Sequence, residues 1–377
     1  MPLAHPEPIW TTSNSELAQH CQQWITLDAV ALDTEFIRTD TFYPQPGLIQ
    51  LGTGSDVFLI DPLMIDDWKP FAEFLENSHV IKVLHACSED LEVFKCLTGA
   101  VPVGLFDTQL AAAYANIGFS MGYQALLKHV LNIDVPKDET RSNWRQRPLT
   151  ESQIRYASLD VVHLLEVYEA LQQLLDDKPH ADWILDDCFQ MTQGVLSSDP
   201  ENAWKEVKRA WQLRPQQLAV LKALCIYREE ESRQLDVPRN RVIAKGSLWS
   251  LARYQPKNMR KLSEVQDMKP PVLRGHGEAI LSIIKHSAST EEDQWPGTLP
   301  PPLPKSAKDY GKQIKKIMSE QAETLQLPVE LLLSGKATTP ILRTWLNDGQ
   351  FSLPESMNGW RREVIGEPLI EQLNQGT

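Results

Sequence analysis

Two acids stand inside an apolar run. Ala29-Val30-Ala31-Leu32 leads into Asp33, Thr34 and Glu35 before Phe36-Ile37 resumes the pattern. The run reads as a buried strand, where packing would prefer no charge at all. Residues two apart on a strand share a face, so the two carboxylates project together. Carboxylates held this close repel one another and raise each other's pKa unless a cation binds among them.

Two more segments carry acids toward the same place. Val80-Ile81-Lys82-Val83-Leu84 reads as a second buried strand, and just beyond it Asp90 starts a helical run over 89–97. Another helical stretch begins after Pro148 with the capping pattern Thr150-Glu151-Ser152-Gln153. Its Tyr156 and Asp160 are four residues apart and share a helix face. Hard oxygen ligands of this kind suit Mg²⁺ or Mn²⁺ rather than zinc. Two such ions about 3.5–4 Å apart can hold the attacking and departing oxygens of an in-line phosphoryl displacement. Asp28, Asp40, Asp61, Asp66 and Asp67 read instead as caps, turns and solvated loops. An Asp-x-Glu or a Tyr-x-x-x-Asp alone says little; the ordered combination carries the argument.

In that order, Asp33-Thr34-Glu35, His85-Ala86-Cys87-Ser88-Glu89-Asp90 and Tyr156-Ala157-Ser158-Leu159-Asp160 resemble the three exonuclease motifs of the DEDD superfamily, in its tyrosine-bearing branch. More narrowly, the chain resembles bacterial ribonuclease D along nearly its whole length. The resemblance implies a ribonuclease H-like α/β domain with a mixed sheet. It also implies a metal-dependent 3′-to-5′ exoribonuclease that releases nucleoside 5′-monophosphates and trims structured RNAs such as tRNA precursors. By it Asp33, Glu35, Asp90 and Asp160 are the ligands of two divalent cations, Mg²⁺ or Mn²⁺. Tyr156 orients or deprotonates the attacking water. A phenol with an unperturbed pKa near 10 is a poor base at neutral pH, which favours the orienting role.

The segment Arg141-Ser142-Asn143-Trp144-Arg145-Gln146-Arg147-Pro148-Leu149 sets three arginines around a tryptophan in an acidic region. Such a group can contact phosphates and stack on a base, with Trp144, Arg145 and Arg147 as the contacts. Equally, Trp144 can cover the core while the arginines neutralise nearby acids. By the resemblance, Arg147 is the favoured phosphate contact.

The formal net charge of −13 sits oddly with an RNA substrate until it is divided along the chain. Residues 1–205 carry 12 Lys and Arg against 30 Asp and Glu, whereas residues 211–290 carry 14 against 7. An acidic catalytic region repels a polyanion, and a basic module beside it supplies the counterion-release attraction. Candidate phosphate contacts there are Arg239, Arg241, Lys245, Arg253, Arg260 and Lys261. No run approaches 18 apolar residues, and the amino terminus shows no targeting pattern, so a cytoplasmic location with no membrane partner is expected. Five cysteines without Cys-x-x-Cys spacing argue against a disulfide framework or a structural zinc. No obligate protein partner is evident.

The layout expected is an exonuclease domain over 1–205 and an all-helical module over 206–290. A proline-rich spacer over 291–305 and a second helical unit over 306–377 follow. Apolar runs at 25–37, 48–53, 57–60 and 80–84 read as strands. Periodic stretches at 89–97, 107–115, 122–131 and 151–176 read as helices. Gly54-Ser55 between two of the runs marks an antiparallel hairpin. Residues 193–202 read as the approach to a linker. In the middle module Pro215 opens a helix with Leu218, Leu221, Leu224 and Cys225 on one face, followed by helices over 241–252 and 278–286. With Pro238-Arg239-Asn240-Arg241 and Lys269-Pro270, this module resembles the helicase-and-ribonuclease-D carboxy-terminal (HRDC) domain, a nucleic-acid-binding bundle. The last unit reads as a divergent copy of it. Five prolines between 296 and 304 exclude a helix from the spacer. Two other functions fit the same acids: a DNA exonuclease of the same fold, and an RNA-binding scaffold without turnover.

Overall fold

The computed structural model describes residues 7–135, 142–176, 178, 180–197, 200–333, 335–355 and 357–375. Two compact units form: Met1–Ile37, Pro46–Leu196 and Leu303–Thr377 make the first, and Arg38–Gln45 with Ser197–Pro302 the second.

In the first unit six strands, Ile9–Thr11 (β1), Ala29–Ile37 (β2), Gln45–Gly52 (β3), Val57–Ile60 (β4), Ile81–Leu84 (β5) and Leu105–Asp107 (β6), form one sheet in the order β1-β4-β3-β2-β5-β6. β3 and β4 are antiparallel across the turn at Gly54, whose φ of 89° suits a residue without Cβ. β1 runs parallel to β4, β2 to β5 and β5 to β6. The sheet is therefore mixed, a hairpin fused to parallel βα units, as the apolar runs lead one to expect. β2 and β5, central in this order, are apolar on both faces over Val30–Leu32 and Val83–Leu84. Buried Lys82 interrupts β5; its ammonium donates to the carbonyls of Asn77 and Val103, and burial pushes its pKa down to about 8.

Helices Asn14–Trp24 (α1), Lys69–Glu76 (α2), Ser88–Thr98 (α3), Thr108–Tyr114 (α4), Tyr123–Leu131 (α5), Glu151–Val162 (α6), Leu164–Leu175 (α7) and Ala181–Leu196 (α8) complete this part. An aromatic cluster of Trp24, Phe58, Phe71 and Phe74 seals α1 and α2 against the sheet. The stretch over 151–176 is two helices rather than one, because His163 leaves helical geometry at φ −107° and ψ 1° and its imidazole bonds Glu166 at 2.8 Å. The expected linker approach begins too early, since α8 runs through Leu196; Ser198 and Asp199 lie outside the described residues.

Gly52 at the end of β3 lets α6 approach the sheet. A Cβ there would lie 2.8 Å from the carbonyl oxygen of Val161, well inside contact distance. Gly47 is similarly close to the backbone of Trp144, at 2.6 Å.

The second unit is helical. Pro215–Gln234 (α9), Arg239–Val242 (α10), Ser247–Tyr254 (α11), Met259–Ser263 (α12) and Pro270–Ala288 (α13) pack around Leu218, Leu221, Leu224, Leu251 and Ile280. The single helix expected over 241–252 is broken between α10 and α11, where Ile243 turns extended. Residues 38–45, which join β2 to β3, belong here. Phe42 is buried beneath the guanidinium groups of Arg239 and Arg233, 4.5 and 4.9 Å from its ring centre, and Asp236 accepts from the Phe42 and Tyr43 amides at 3.0 Å.

Residues Ala307–Leu325, Gly335–Asp348 and Glu367–Gln375 are helical but pack into the first unit, not as a body of their own. Trp360 stacks on Trp183 of α8 at 4.2 Å and 4°. Arg361 binds both oxygens of Asp187, one at 2.7 Å, and Asp187 also accepts from the Tyr114 hydroxyl at 2.6 Å. The proline-rich spacer holds one helical turn, Glu292–Gln294 in 3₁₀ form, ahead of Pro296; a turn this short needs no continuing N–H ladder.

Gly52→Ala should cost about 1–3 kcal/mol of stability by overpacking α6 against β3. Urea denaturation of the purified variant against the parent checks this.

Candidate active site

Strand alternation and helix periodicity converge where the sequence pattern places them. Asp33 and Glu35 leave β2 on one face, and Asp160 descends from α6; oxygens of these three lie within 4.8 Å of one another. α6 is aimed by its amino-terminal cap: Thr150 Oγ1 accepts from the Gln153 amide at 3.2 Å, and Gln153 Oε1 accepts from the Thr150 amide at 3.0 Å. Asp90 enters from the first turn of α3 and lines the same pocket of about 270 Å³, but one of its oxygens accepts the hydroxyl proton of Thr34. Tyr156, one helical turn before Asp160, forms another wall.

The electrostatics are one-sided. Among the described residues lining the pocket are five carboxylates, Asp33, Glu35, Glu89, Asp90 and Asp160, and no lysine or arginine. Burial first, then repulsion from Asp160 and Asp90, pushes Glu35 up to about 9. Asp160 rises to about 7 through burial and the charge of Asp90, and Asp90 to about 7 through burial, partly offset by the Thr34 hydroxyl. Asp33 is raised well above the usual carboxylate range by burial and by Asp160, Asp90 and Glu35. An all-oxygen set that repels itself and lacks any internal cation fits divalent ions of the Mg²⁺ class. Burial and then the nearby carboxylates also raise Tyr156, so its phenol stays protonated at neutral pH.

The residues expected to touch RNA beside this site fare differently. Trp144 is 2 % exposed and packs 6.0 Å from the Tyr156 ring, which makes it core and corrects its reading as a stacking platform. Arg147 is corrected too. Its guanidinium is bound by both oxygens of Asp61 at 2.6 Å and by the Gly47 and Trp144 carbonyls at 2.7 and 3.0 Å, leaving little to offer a phosphate. Arg145 is exposed and gives one donor to the Pro46 carbonyl. Arg141 lies outside the described residues. In the helical unit Arg239 forms a two-point pair with Glu229 over the Phe42 ring, and Arg241 pairs with Asp40. Arg239 serves the fold, which corrects its reading as a phosphate contact, whereas the Arg241 pair is exposed on both sides. Lys245, Arg253, Arg260 and Lys261 are exposed.

His85, Tyr123, Phe36 and Leu164 also line the acidic pocket and escaped the sequence reading as site residues. His85 stands in the segment that supplies Asp90, which was the available signal. Its Nδ1 lies 2.9 Å from the Thr108 hydroxyl, and burial lowers its pKa.

Comparison with known proteins places this geometry. The family described as 3′-5′ exonuclease matches residues 8–176, the HRDC domain matches 217–284, and the ribonuclease D carboxy-terminal HRDC domain matches 306–369. Ribonuclease D of Pseudomonas paraeruginosa is 49 % identical over 98 % of both chains. The chain belongs to the ribonuclease D family. The Escherichia coli ribonuclease D is 36 % identical over 97 % of this chain and 98 % of its own. The crystal structure of that enzyme, described as an exoribonuclease involved in structured RNA processing, superposes with a TM-score of 0.90 over 98 % of this chain and 99 % of its own. As a ribonuclease D the chain is a 3′-to-5′ exoribonuclease, with an exonuclease domain followed by helical HRDC domains. Divalent metal use comes with the exonuclease fold and its acidic cluster.

The raised carboxyls make a pH prediction with a definite sign. Glu35 rises from 4.5 to about 9, so its protonated form stabilises the metal-free fold below about pH 4.5, and that contribution is lost as pH climbs through about 9. In EDTA, Glu35→Gln should melt higher than the parent at pH 9 and show a smaller difference at pH 5. Adding Mg²⁺ at pH 9 should raise the parent's Tm more than the variant's. Melting curves at the two pH values test it.

Proposed function

We propose that Asp33, Glu35, Asp90 and Asp160 hold two divalent cations, Mg²⁺ or Mn²⁺, and that Tyr156 orients the attacking water. The observation that carries this reading is the convergence of Asp33, Glu35 and Asp160 within 4.8 Å in a pocket without an internal cation. When bound, the ions supply charge neutralisation and a lowered pKa for water.

The rest is the work of the chain's own side chains. The Tyr156 hydroxyl, kept protonated by its surroundings, bonds the attacking water and fixes its approach to phosphorus. Phe36 and Leu164 give the terminal nucleotide an apolar wall. Water oxygen bonds to the last phosphorus, and the bond from that phosphorus to the preceding 3′ oxygen breaks. A proton passes to the departing oxygen, so the products are a nucleoside 5′-monophosphate and an RNA one residue shorter with a free 3′ hydroxyl. The acids of this pocket repel an unaccompanied phosphodiester, which makes cation loading a condition for the scissile group to enter the pocket as well as for chemistry.

By the same reading the substrates are RNAs with a single-stranded 3′ end, tRNA precursors among them. The enzyme works in the cytoplasm and needs no obligate protein partner. Among the described residues no helix is long and apolar enough to cross a membrane.

Single-turnover release of 5′-monophosphates from a 3′-labelled RNA tests the roles. Tyr156→Phe should lose about 10²–10⁴ in rate and remain measurable. Asp33→Ala and Asp160→Ala should fall well below it. Near-parental rates for Asp33→Ala in Mg²⁺ would remove the assignment, and faster turnover of a matched DNA would replace RNA as the substrate.

A further inference from the structure

We propose that a groove on the helical unit binds single-stranded RNA, one base stacking on Tyr254 and the adjoining phosphates lying against Lys208, Lys245 and Lys257. The proposal rests on the reading of this chain as an RNA exonuclease and locates part of its substrate grip.

The groove, of about 1040 Å³, is bounded by residues 207–209, 245–246, 249–250, 254–258, 261 and 264–266. Five cations, Lys208, Arg209, Lys245, Lys257 and Lys261, face one carboxylate, Glu264, which is taken by Lys261 at 2.8 Å. Lys208, Lys245 and Lys257 pair with no carboxylate among the described residues. Unpaired cations around a concavity attract a polyanion.

The aromatic wall decides which polyanion. Trp249 is fixed: its Nε1 donates to the Arg209 carbonyl at 3.0 Å, and the Arg209 guanidinium covers its ring at 4.2 Å. Tyr254 meets Trp249 edge to face at 6.1 Å and is 69 % exposed, so its own ring is held at the groove with a face open. An open ring face beside a concavity lined by ammonium groups offers a base a surface to stack on while its flanking phosphates meet the cations. An acidic peptide would use the cations and waste the ring. Two non-glycine residues with left-handed backbone, Arg209 (φ 70°) and Gln255 (φ 44°), also border the groove, strain of the sort that collects at binding sites.

The test is fluorescence anisotropy of the full chain with a 3′-labelled single-stranded RNA in EDTA, so that binding is read without turnover. Tyr254→Ala should weaken binding about tenfold to a hundredfold, and Tyr254→Phe should restore it. The double variant Lys245→Gln, Lys257→Gln should lower the slope of log affinity against log salt by about 1.4. Lys285→Gln, an exposed cation of the same unit away from the groove, should change that slope less than either groove lysine replaced singly. Unchanged affinity for Tyr254→Ala with an unchanged melting curve would overturn the proposal. So would equal effects of Lys285 and the groove lysines, or displacement of the RNA by polyglutamate as effectively as by unlabelled RNA. Because the assay needs no hydrolysis, an inactive acidic site would leave these outcomes readable.

Discussion

Mutual repulsion among buried carboxylates organises the first unit. Asp33, Glu35, Asp90 and Asp160 arrive on three separate elements; burial raises all four, Asp33 and Glu35 are raised further by the other acids of the set, Asp160 by Asp90, and Asp90 by Asp107 and Glu89. A fold free to relax would turn at least one of them outward. It is prevented by features with no charge of their own. β2 is locked by apolar residues on either side of the acids, α6 by the Thr150 and Gln153 cap, and the gap between α6 and the sheet by the bare Cα of Gly52. Such a set is relieved from outside the protein, by a divalent cation bound among the oxygens.

Much of this was legible beforehand because it rests on short-range rules. Two-residue alternation put Asp33 and Glu35 on one face, and four-residue spacing put Tyr156 beside Asp160. Whatever depended on long-range packing was not legible. Arg147 looks like a phosphate clamp in the sequence and is one only for Asp61, 86 positions earlier. Trp144 looks like a stacking ring, yet Gly47 gives its backbone a place to sink into. Arg239 is absorbed by Phe42 and Glu229 and Arg241 pairs with Asp40, and nothing local to them announces residues 38–45 as their partners. β1 and β6 escaped because three residues are too few to show alternation.

Charge is divided between the units according to task. On the proposed reading the acidic pocket would need external cations before a phosphodiester could enter, whereas the helical unit carries cations of its own that would hold a polyanion at any metal concentration. Capture and cleavage can then respond to different conditions: salt weakens the first, and chelation stops the second. The carboxy-terminal helices pack into the acidic unit through Trp360 on Trp183 and Arg361 on Asp187.

Residues 38–45 tie these parts together in a way that bears on modularity. The polypeptide leaves β2 two positions after Glu35 and enters the helical unit, where Phe42 is roofed by two arginines and Asp236 receives two of its amides, before returning as β3. A gene segment ending after Leu196 would encode the whole sheet and also an octapeptide stripped of its shelter, with the Phe42 ring left bare. Recombination could not graft this nuclease onto a foreign binding module by joining at that point alone. The chain passes from one unit to the other at Arg38, within the β2–β3 connection that follows Glu35.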